Sequence, residues 1–111
     1  MMKIYAALLP HRHLICLKGK DKQPFLQGLV TNDVQEISLN SLQYAALLTP
    51  QGKFLNDLFI TETEKGDWLI DCENPDDLIK RLSLFKLRSD IQLINLGDQY
   101  EVYAIWGEEA Y

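Results

Sequence analysis

Three strand-like segments follow one another through short turns, and this feature of the chain constrains its fold most. Apolar patterning predicts the strands Gln43–Thr49, Lys53–Thr63 and Asp67–Cys72. The first two are joined by Thr49-Pro50-Gln51-Gly52, which has Pro and Gly at the positions that a β-turn favours. Strands joined by connections this short pair as antiparallel neighbours. The middle of the chain is therefore predicted to form an antiparallel sheet.

Two predicted helices interrupt the strands. The first begins after Asp21, a suitable N-cap, and Gly28 indicates either close packing or an early end; its apolar stripe is Phe25, Leu26, Leu29 and Val30. The second begins at Asn74-Pro75-Asp76-Asp77, and its stripe is Leu78, Ile79, Leu82 and Phe85. Further strands are predicted at Ile4–Leu9, His13–Lys18, Ile91–Leu96 and Tyr100–Trp106. This order predicts an α+β fold, with an antiparallel or mixed sheet and two helices packed on one face.

Composition limits the function classes that this chain can serve. It has 111 residues, of which 47% are hydrophobic and 24% charged, which suits one globular domain. A net charge of −5 argues against direct nucleic-acid or membrane binding through bulk charge. The apolar run Ile4–Leu9 is too short for a secretory or membrane-spanning segment.

The cysteine and histidine residues do not form a pattern typical of a metal site. Cys16 and Cys72 lie far apart in apolar segments, which is typical of buried, reduced thiols in a cytoplasmic protein. His11 and His13 flank Arg12 in a predicted turn, where solvated histidines are commoner than a metal pair. We therefore predict a cytoplasmic location and no bound metal.

The strand after the Gly52 turn departs from the expected pattern, because both of its faces are apolar and each includes a polar residue. One predicted face contains Phe54, Asn56, Leu58 and Ile60, and the other contains Leu55, Asp57, Phe59 and Thr61. A buried carboxylate without a partner is costly, or becomes neutral through a raised pKa. Either state is typical of a carboxylate used in ligand binding or catalysis. The alternative is a strand beginning at Leu58, with the polar pair in a solvated turn.

Two segments resemble a known family. Phe25-Leu26-Gln27-Gly28-Leu29-Val30-Thr31-Asn32-Asp33-Val34 and the segment from Tyr44 to Asp57, which includes Gln51-Gly52-Lys53, are similar to the N-terminal part of the YgfZ family of folate-binding proteins. These are relatives of the glycine-cleavage T-protein, an aminomethyltransferase. The resemblance covers nearly the whole chain. Because family members are longer, it implies that residues 1–111 are an N-terminal folate-binding-type domain of a longer protein.

The resemblance also implies a set of cofactor-binding residues. Asp57 matches an acid that faces folate in the T-protein relatives, and Tyr44 matches a tyrosine that lines the same cavity. Asn56 replaces the neighbouring acid, and Asp71 falls where those relatives have a pterin-contacting asparagine. We expect these four residues to contribute to a tetrahydrofolate site, which is weak in the isolated domain because a cavity between domains is only partly built. No catalytic residue is assigned.

The functions implied by the resemblance fall into different classes. The first is a folate-binding accessory protein that supports iron–sulfur cluster assembly or repair and tRNA modification by iron–sulfur enzymes, with those enzymes or assembly proteins as partners. The alternative is a tetrahydrofolate-dependent aminomethyltransferase, against which Asn56 and Lys53 weigh, since the relatives have an acid and a glycine there. A third is a binding module that docks a partner through its strand edges. Self-association of the short chain is a further expectation.

Overall fold

A computed structural model describes residues 2–109, which form seven strands and two α-helices in the predicted order. The strands are β1 (Met2–Leu8), β2 (His13–Lys18), β3 (Gln43–Leu48), β4 (Phe54–Glu62), β5 (Trp68–Cys72), β6 (Gln92–Asn95) and β7 (Tyr103–Glu109). The helices are α1 (Lys22–Gln27) and α2 (Pro75–Ser83), and single 3₁₀ turns occur at Val34–Glu36 and Gly97–Gln99. None of the helices in this part of the chain has the length and apolarity that a membrane span requires.

The strands form two separate sheets. Five strands make the main sheet in the order β3-β4-β5-β2-β6, and every neighbouring pair is antiparallel. β1 and β7 pair with each other as an antiparallel two-stranded ribbon. The hairpin connections β3-β4 and β4-β5 are those that the turn residues predict, and the N–H of Gly52 donates to the carbonyl of Thr49 at 2.9 Å. The α+β prediction is confirmed, and the main sheet is antiparallel rather than mixed.

Both helices cover the same face of the main sheet, as predicted. Leu26 of α1 and Leu78 and Leu82 of α2 are fully buried in one cluster with residues from four strands. The sheet contributes Ile15, Leu17, Ala45, Leu47, Leu58, Ile60, Trp68, Ile70 and Cys72 to this cluster. Burial of each large apolar side chain favours folding by about 1.5–3 kcal/mol, so this cluster is the main source of stability. The opposite face, which we call the open face, lies away from both helices.

The helix ends differ in how well their residues were predicted. Asn74 caps α2 through its side chain, which accepts from the N–H of Asp77 at 3.2 Å. Asp21 precedes α1, but its carboxylate accepts from the N–H of Asp90 at 2.7 Å instead of capping the helix. The prediction that Phe85 continues the buried stripe of α2 is wrong, because the helix ends at Ser83 and Phe85 is 45% exposed.

A β-bulge changes the predicted alternation at the start of β4. The β3-β4 register shifts between Leu47 and Leu48, so that Leu47 pairs with Asn56 and Leu48 with Phe54. The extra residue is Leu55, which packs against the core cluster. The prediction that Leu55 shares the face of Asp57 is therefore wrong, since a bulge interrupts strict alternation. From Asn56 onward the predicted alternation holds.

Candidate functional site

Three neighbouring strands, β3, β4 and β5, place a small group of side chains together on the open face. Tyr44 of β3 pairs directly with Phe59 of β4, and Phe59 pairs directly with Asp71 of β5. Residues directly opposite each other in antiparallel strands project from the same face of a sheet. Asp57 lies two residues before Phe59, and therefore projects from that face as well. We call Tyr44, Asp57, Phe59 and Asp71 the open-face cluster.

The aromatic part of the open-face cluster is a tilted ring pair. The Tyr44 and Phe59 ring centroids are 5.1 Å apart, with an angle of 58° between the ring planes. Tyr44 is 51% exposed, whereas Phe59 is half-buried. The backbone carbonyl of Tyr44 accepts from the side-chain amide of Asn32 at 2.9 Å, which attaches this strand to the preceding loop. Together the rings present apolar surface on which a planar ligand could stack.

Arg12 connects the two carboxylates of the open-face cluster. Its Nη1 donates to Oδ1 of Asp57 at 2.8 Å, and its Nε donates to Oδ1 of Asp71 at 2.7 Å. Its Nη2 also donates to the backbone carbonyl of Asp71 at 3.0 Å. The guanidinium carbon lies 5.6 Å from the centre of the Phe59 ring, within the range of a cation–π interaction. One arginine thus contacts both acids and one of the two rings.

Burial differs sharply between the cation and its partners. The side chain of Arg12 is 6% exposed, while those of Asp71 and Asp57 are 17% and 35% exposed. Burial by itself lowers the pKa of the Arg12 guanidinium, but the hydrogen bonds to Asp57 and Asp71 outweigh it, so this pKa is raised above its ordinary value. Glu73 adds a third carboxylate at 3.9 Å from Nη1. The site therefore has a net negative charge, and Arg12 is the only buried cation within residues 2–109.

Three of the four residues implied by the resemblance occupy one face, and the fourth does not. Tyr44, Asp57 and Asp71 belong to the open-face cluster. Asn56 pairs with the buried Leu47 and therefore projects toward the helices. Its Oδ1 is buried and has no hydrogen-bond partner within residues 2–109. A cofactor-binding role for Asn56 stays a prediction, but the residue does not share a surface with the other three.

Asp57 lies inside a strand and has a partner. Because β4 begins at Phe54, the alternative that the polar pair precedes the strand in a solvated turn is wrong. Asp57 is not an unpaired carboxylate, because the guanidinium of Arg12 donates a hydrogen bond to it. Arg12 lies 45 residues before Asp57 and 59 before Asp71, a separation at which sequence patterning gives no pairing information. Its position in a turn between His11 and His13 gave no signal of burial.

Comparison with known proteins assigns the chain to a family. Residues 10–111 match the family described as the GCVT N-terminal domain. The chain belongs to this family. The match includes Arg12 and all of the open-face cluster. It confirms the resemblance to relatives of the glycine-cleavage T-protein that the two sequence segments indicated.

Relatives of two kinds are similar to this GCVT N-terminal domain. "Iron-sulfur cluster assembly factor IBA57 homolog, mitochondrial" from Mycosarcoma maydis is 33% identical over 90% of this chain and 28% of its own length. The Aspergillus fumigatus protein of the same name is 35% identical over 94% of this chain and 28% of its own length. "Aminomethyltransferase" from Bacillus pumilus is 30% identical over 87% of this chain and 27% of its own length. The chain therefore spans little more than a quarter of these relatives.

A solved structure shows the same fold. The glycine cleavage system aminomethyltransferase T from Bartonella henselae aligns with a TM-score of 0.77 at 19% sequence identity. The alignment covers 92% of this chain and 28% of that protein. At this level of identity the comparison establishes the fold, and the arrangement of strands and helices described above is that of a GCVT N-terminal domain.

Proposed function

We propose that this domain contributes a tetrahydrofolate-binding surface to an accessory protein that supports iron–sulfur cluster assembly or repair. Through iron–sulfur enzymes, the same protein would support tRNA modification. The observation behind the proposal is the open-face cluster, in which two carboxylates and two aromatic rings lie on a sheet face that neither helix covers. Iron–sulfur assembly factors among the relatives support the cellular role.

The chemistry of the open-face cluster suits a reduced pterin. The pyrimidine half of the tetrahydrofolate pterin is flat and can stack on an apolar surface, and the several N–H groups of the pterin need acceptors. Asp57 and Asp71 are acceptors, and the Tyr44 and Phe59 rings provide the surface. Bound tetrahydrofolate would supply a carrier for one-carbon units. The residues of this chain would bind its ring and orient it.

Sequence differences favour the accessory role over the alternative, an aminomethyltransferase. The Bacillus pumilus relative bears that name, so the transferase class remains the second candidate. Asn56 replaces the first acid of the strand motif, and it projects toward the core, away from Asp57. Lys53 replaces a glycine in the adjoining turn. Asn56 directly precedes Asp57, the residue that would assist transfer to a folate nitrogen, and Lys53 lies four residues before it.

The remaining parts of the proposal concern partners and location. Iron–sulfur assembly proteins are the proposed partners, and self-association of the 111-residue chain is proposed through the exposed apolar side chains of the β1-β7 ribbon, such as Ile4, Ile105 and Trp106. The fungal relatives are named as mitochondrial proteins. A cytoplasmic location for this chain stays a prediction.

Calorimetric titration with tetrahydrofolate under anaerobic conditions tests the site. We expect weak, saturable binding by the unsubstituted chain, and a loss of at least about tenfold in affinity for Asp57→Ala, since hydrogen bonds to charged groups are worth about 1.5–3 kcal/mol. The matched control is Asp76→Ala, which removes an exposed carboxylate from α2 on the other side of the sheet, and for which we expect less than about a twofold change. Equal affinities for the unsubstituted chain and Asp57→Ala would refute the assignment.

A further inference from the structure

The side chain of Arg12 links separate parts of the chain within the open-face cluster. The residue lies in the turn between β1 and β2, and its guanidinium contacts Asp57 of β4 and Asp71 of β5. Each of its three nitrogens donates to an oxygen, two of them to different carboxylates and one to a backbone carbonyl. A planar guanidinium can hold several acceptors in fixed directions, which a lysine ammonium cannot do.

This arrangement uses one oxygen of each carboxylate. Arg12 binds Oδ1 of Asp57 and Oδ1 of Asp71. Within residues 2–109, the Oδ2 atoms of both aspartates are without a hydrogen bond. Because one oxygen of each group is anchored, the rotation of both carboxylates is restricted, and the second oxygen is available to a ligand N–H. Restricting these rotations before binding reduces the entropy cost of recognition.

Arg12 also offsets the repulsion between the two acids. Asp57 and Asp71 both lie within hydrogen-bond distance of one guanidinium, and Glu73 is 3.9 Å from the same group. The guanidinium lies against both groups and compensates their negative charge, and each carboxylate accepts one hydrogen bond from it. The side chain is 6% exposed, so a ligand on the open face meets the acids and not the arginine.

We propose that Arg12 is the positioning residue of this site. It does not contact the folate, but fixes the orientation of Asp57 and Asp71, which do. This role rests on the proposed folate site and extends it to a residue outside the sheet. A purely structural arginine would strengthen the fold without affecting the way in which the two aspartates cooperate in binding.

Calorimetry on the 111-residue chain with tetrahydrofolate tests this role. We expect Arg12→Gln to weaken binding by at least about tenfold. Arg12→Lys should restore part of the loss, since lysine keeps the positive charge but lacks a planar group that donates in several fixed directions. The control is Arg81→Gln, which breaks a comparable 2.7 Å contact with Asp77 on the exposed side of α2 and should leave affinity unchanged. Combining Arg12→Gln with Asp57→Ala should weaken binding by less than the product of the two single effects, because part of the effect of Arg12 passes through Asp57.

Nitrogen NMR of the ligand-free protein reads the same contacts independently of folate. The chemical shift of the Arg12 Nε–H signal should change in Asp71→Asn and stay nearly the same in Asp57→Asn, since Nε donates to Asp71 alone. A folded Arg12→Gln variant that binds folate as tightly as the unsubstituted chain would overturn the positioning role. The role would also be overturned if the loss of affinity in the double variant equalled the product of the losses in Arg12→Gln and Asp57→Ala. If Arg12→Gln fails to fold, unchanged affinity in Arg12→Lys would overturn it. No binding by the unsubstituted chain would instead refute the folate site itself, even with the Nε–H contacts intact.

Discussion

At the scale of single residues, burial sets the state of the two thiols. Cys72 is fully buried in the core cluster, and burial raises the pKa of its thiol to about 12. Burial also raises the pKa of the Cys16 thiol, which is 7% exposed on the other side of the sheet. Thiolates, not thiols, react with alkylating agents. Both cysteines should therefore be inert near neutral pH in the folded chain.

The raised pKa of Cys72 predicts a loss of stability at alkaline pH. A thiol with an ordinary pKa of 9.0 in the unfolded chain and about 12 when folded stabilises the fold below pH 9 and loses this contribution as pH rises toward 12. Urea unfolding at pH 8 and pH 10.5 should show the unsubstituted chain losing on the order of 2 kcal/mol more than Cys72→Ala does. Equal losses in both proteins would contradict a buried, protonated thiol.

Residue patterning singled out Asp57 but not Arg12, and Asp71 was indicated only by the family resemblance. Asp57 stood out because burying a charged residue within an apolar strand is costly, and the apolar neighbours are visible in the sequence itself. Arg12 offered no such contrast, because a single arginine in a turn is ordinary. Its burial depends on two carboxylates that are 45 and 59 residues away. Long-range charge pairing of this kind follows from the folded geometry.

At the scale of elements, the connection between β2 and α1 is fixed by close contact with the segment that precedes β6. Gly19 has a φ of 120°, and a Cβ there would overlap the carbonyl oxygen of Asp90 and lie 2.7 Å from Cα of Ile91. The N–H of Asp21 donates to the same carbonyl at 3.2 Å, and its carboxylate accepts from the N–H of Asp90. This packing requires glycine at position 19.

Two glycine substitutions should therefore have opposite effects. Gly19→Ala should lower the free energy of unfolding by at least about 2 kcal/mol, because both the backbone conformation and the contact with Asp90 exclude a side chain. Gly28→Ala should be neutral or stabilising by up to about 1 kcal/mol, since a Cβ there meets nothing within 4 Å and φ is −79°. Urea titration of both variants measures this, and a tolerated Gly19→Ala would contradict the described packing.

A turn and a helix cap whose residues determine the local conformation were predicted correctly. The bulge in β4 and the early end of α2 were not. The Thr49–Gly52 turn and the Asn74 cap contain residues whose own chemistry determines the local conformation. The bulge that moves Leu55 to the core has no such signal, because it becomes visible only when β3 is paired with β4. The early end of α2, which leaves Phe85 exposed, likewise has no marker in the apolar spacing.

At the scale of the whole molecule, the sheet is asymmetric. One face is filled by both helices and contains the apolar core, whereas the other presents the open-face cluster and the acids bound by Arg12. This asymmetry follows from the order of strands and helices and was predictable. The separate β1-β7 ribbon was not, because the sequence indicates two strands without indicating their partners.

Amide NMR tests folate binding on the open face most directly. The isotope-labelled 111-residue chain would be titrated with 5-formyltetrahydrofolate, a stable reduced folate, at concentrations that detect weak binding. We predict saturable shift changes concentrated in β3, β4 and β5 around Tyr44, Asp57, Phe59 and Asp71, with little change in α1 and α2. Absence of saturable shifts, or shifts concentrated on the helices, would contradict binding on the open face.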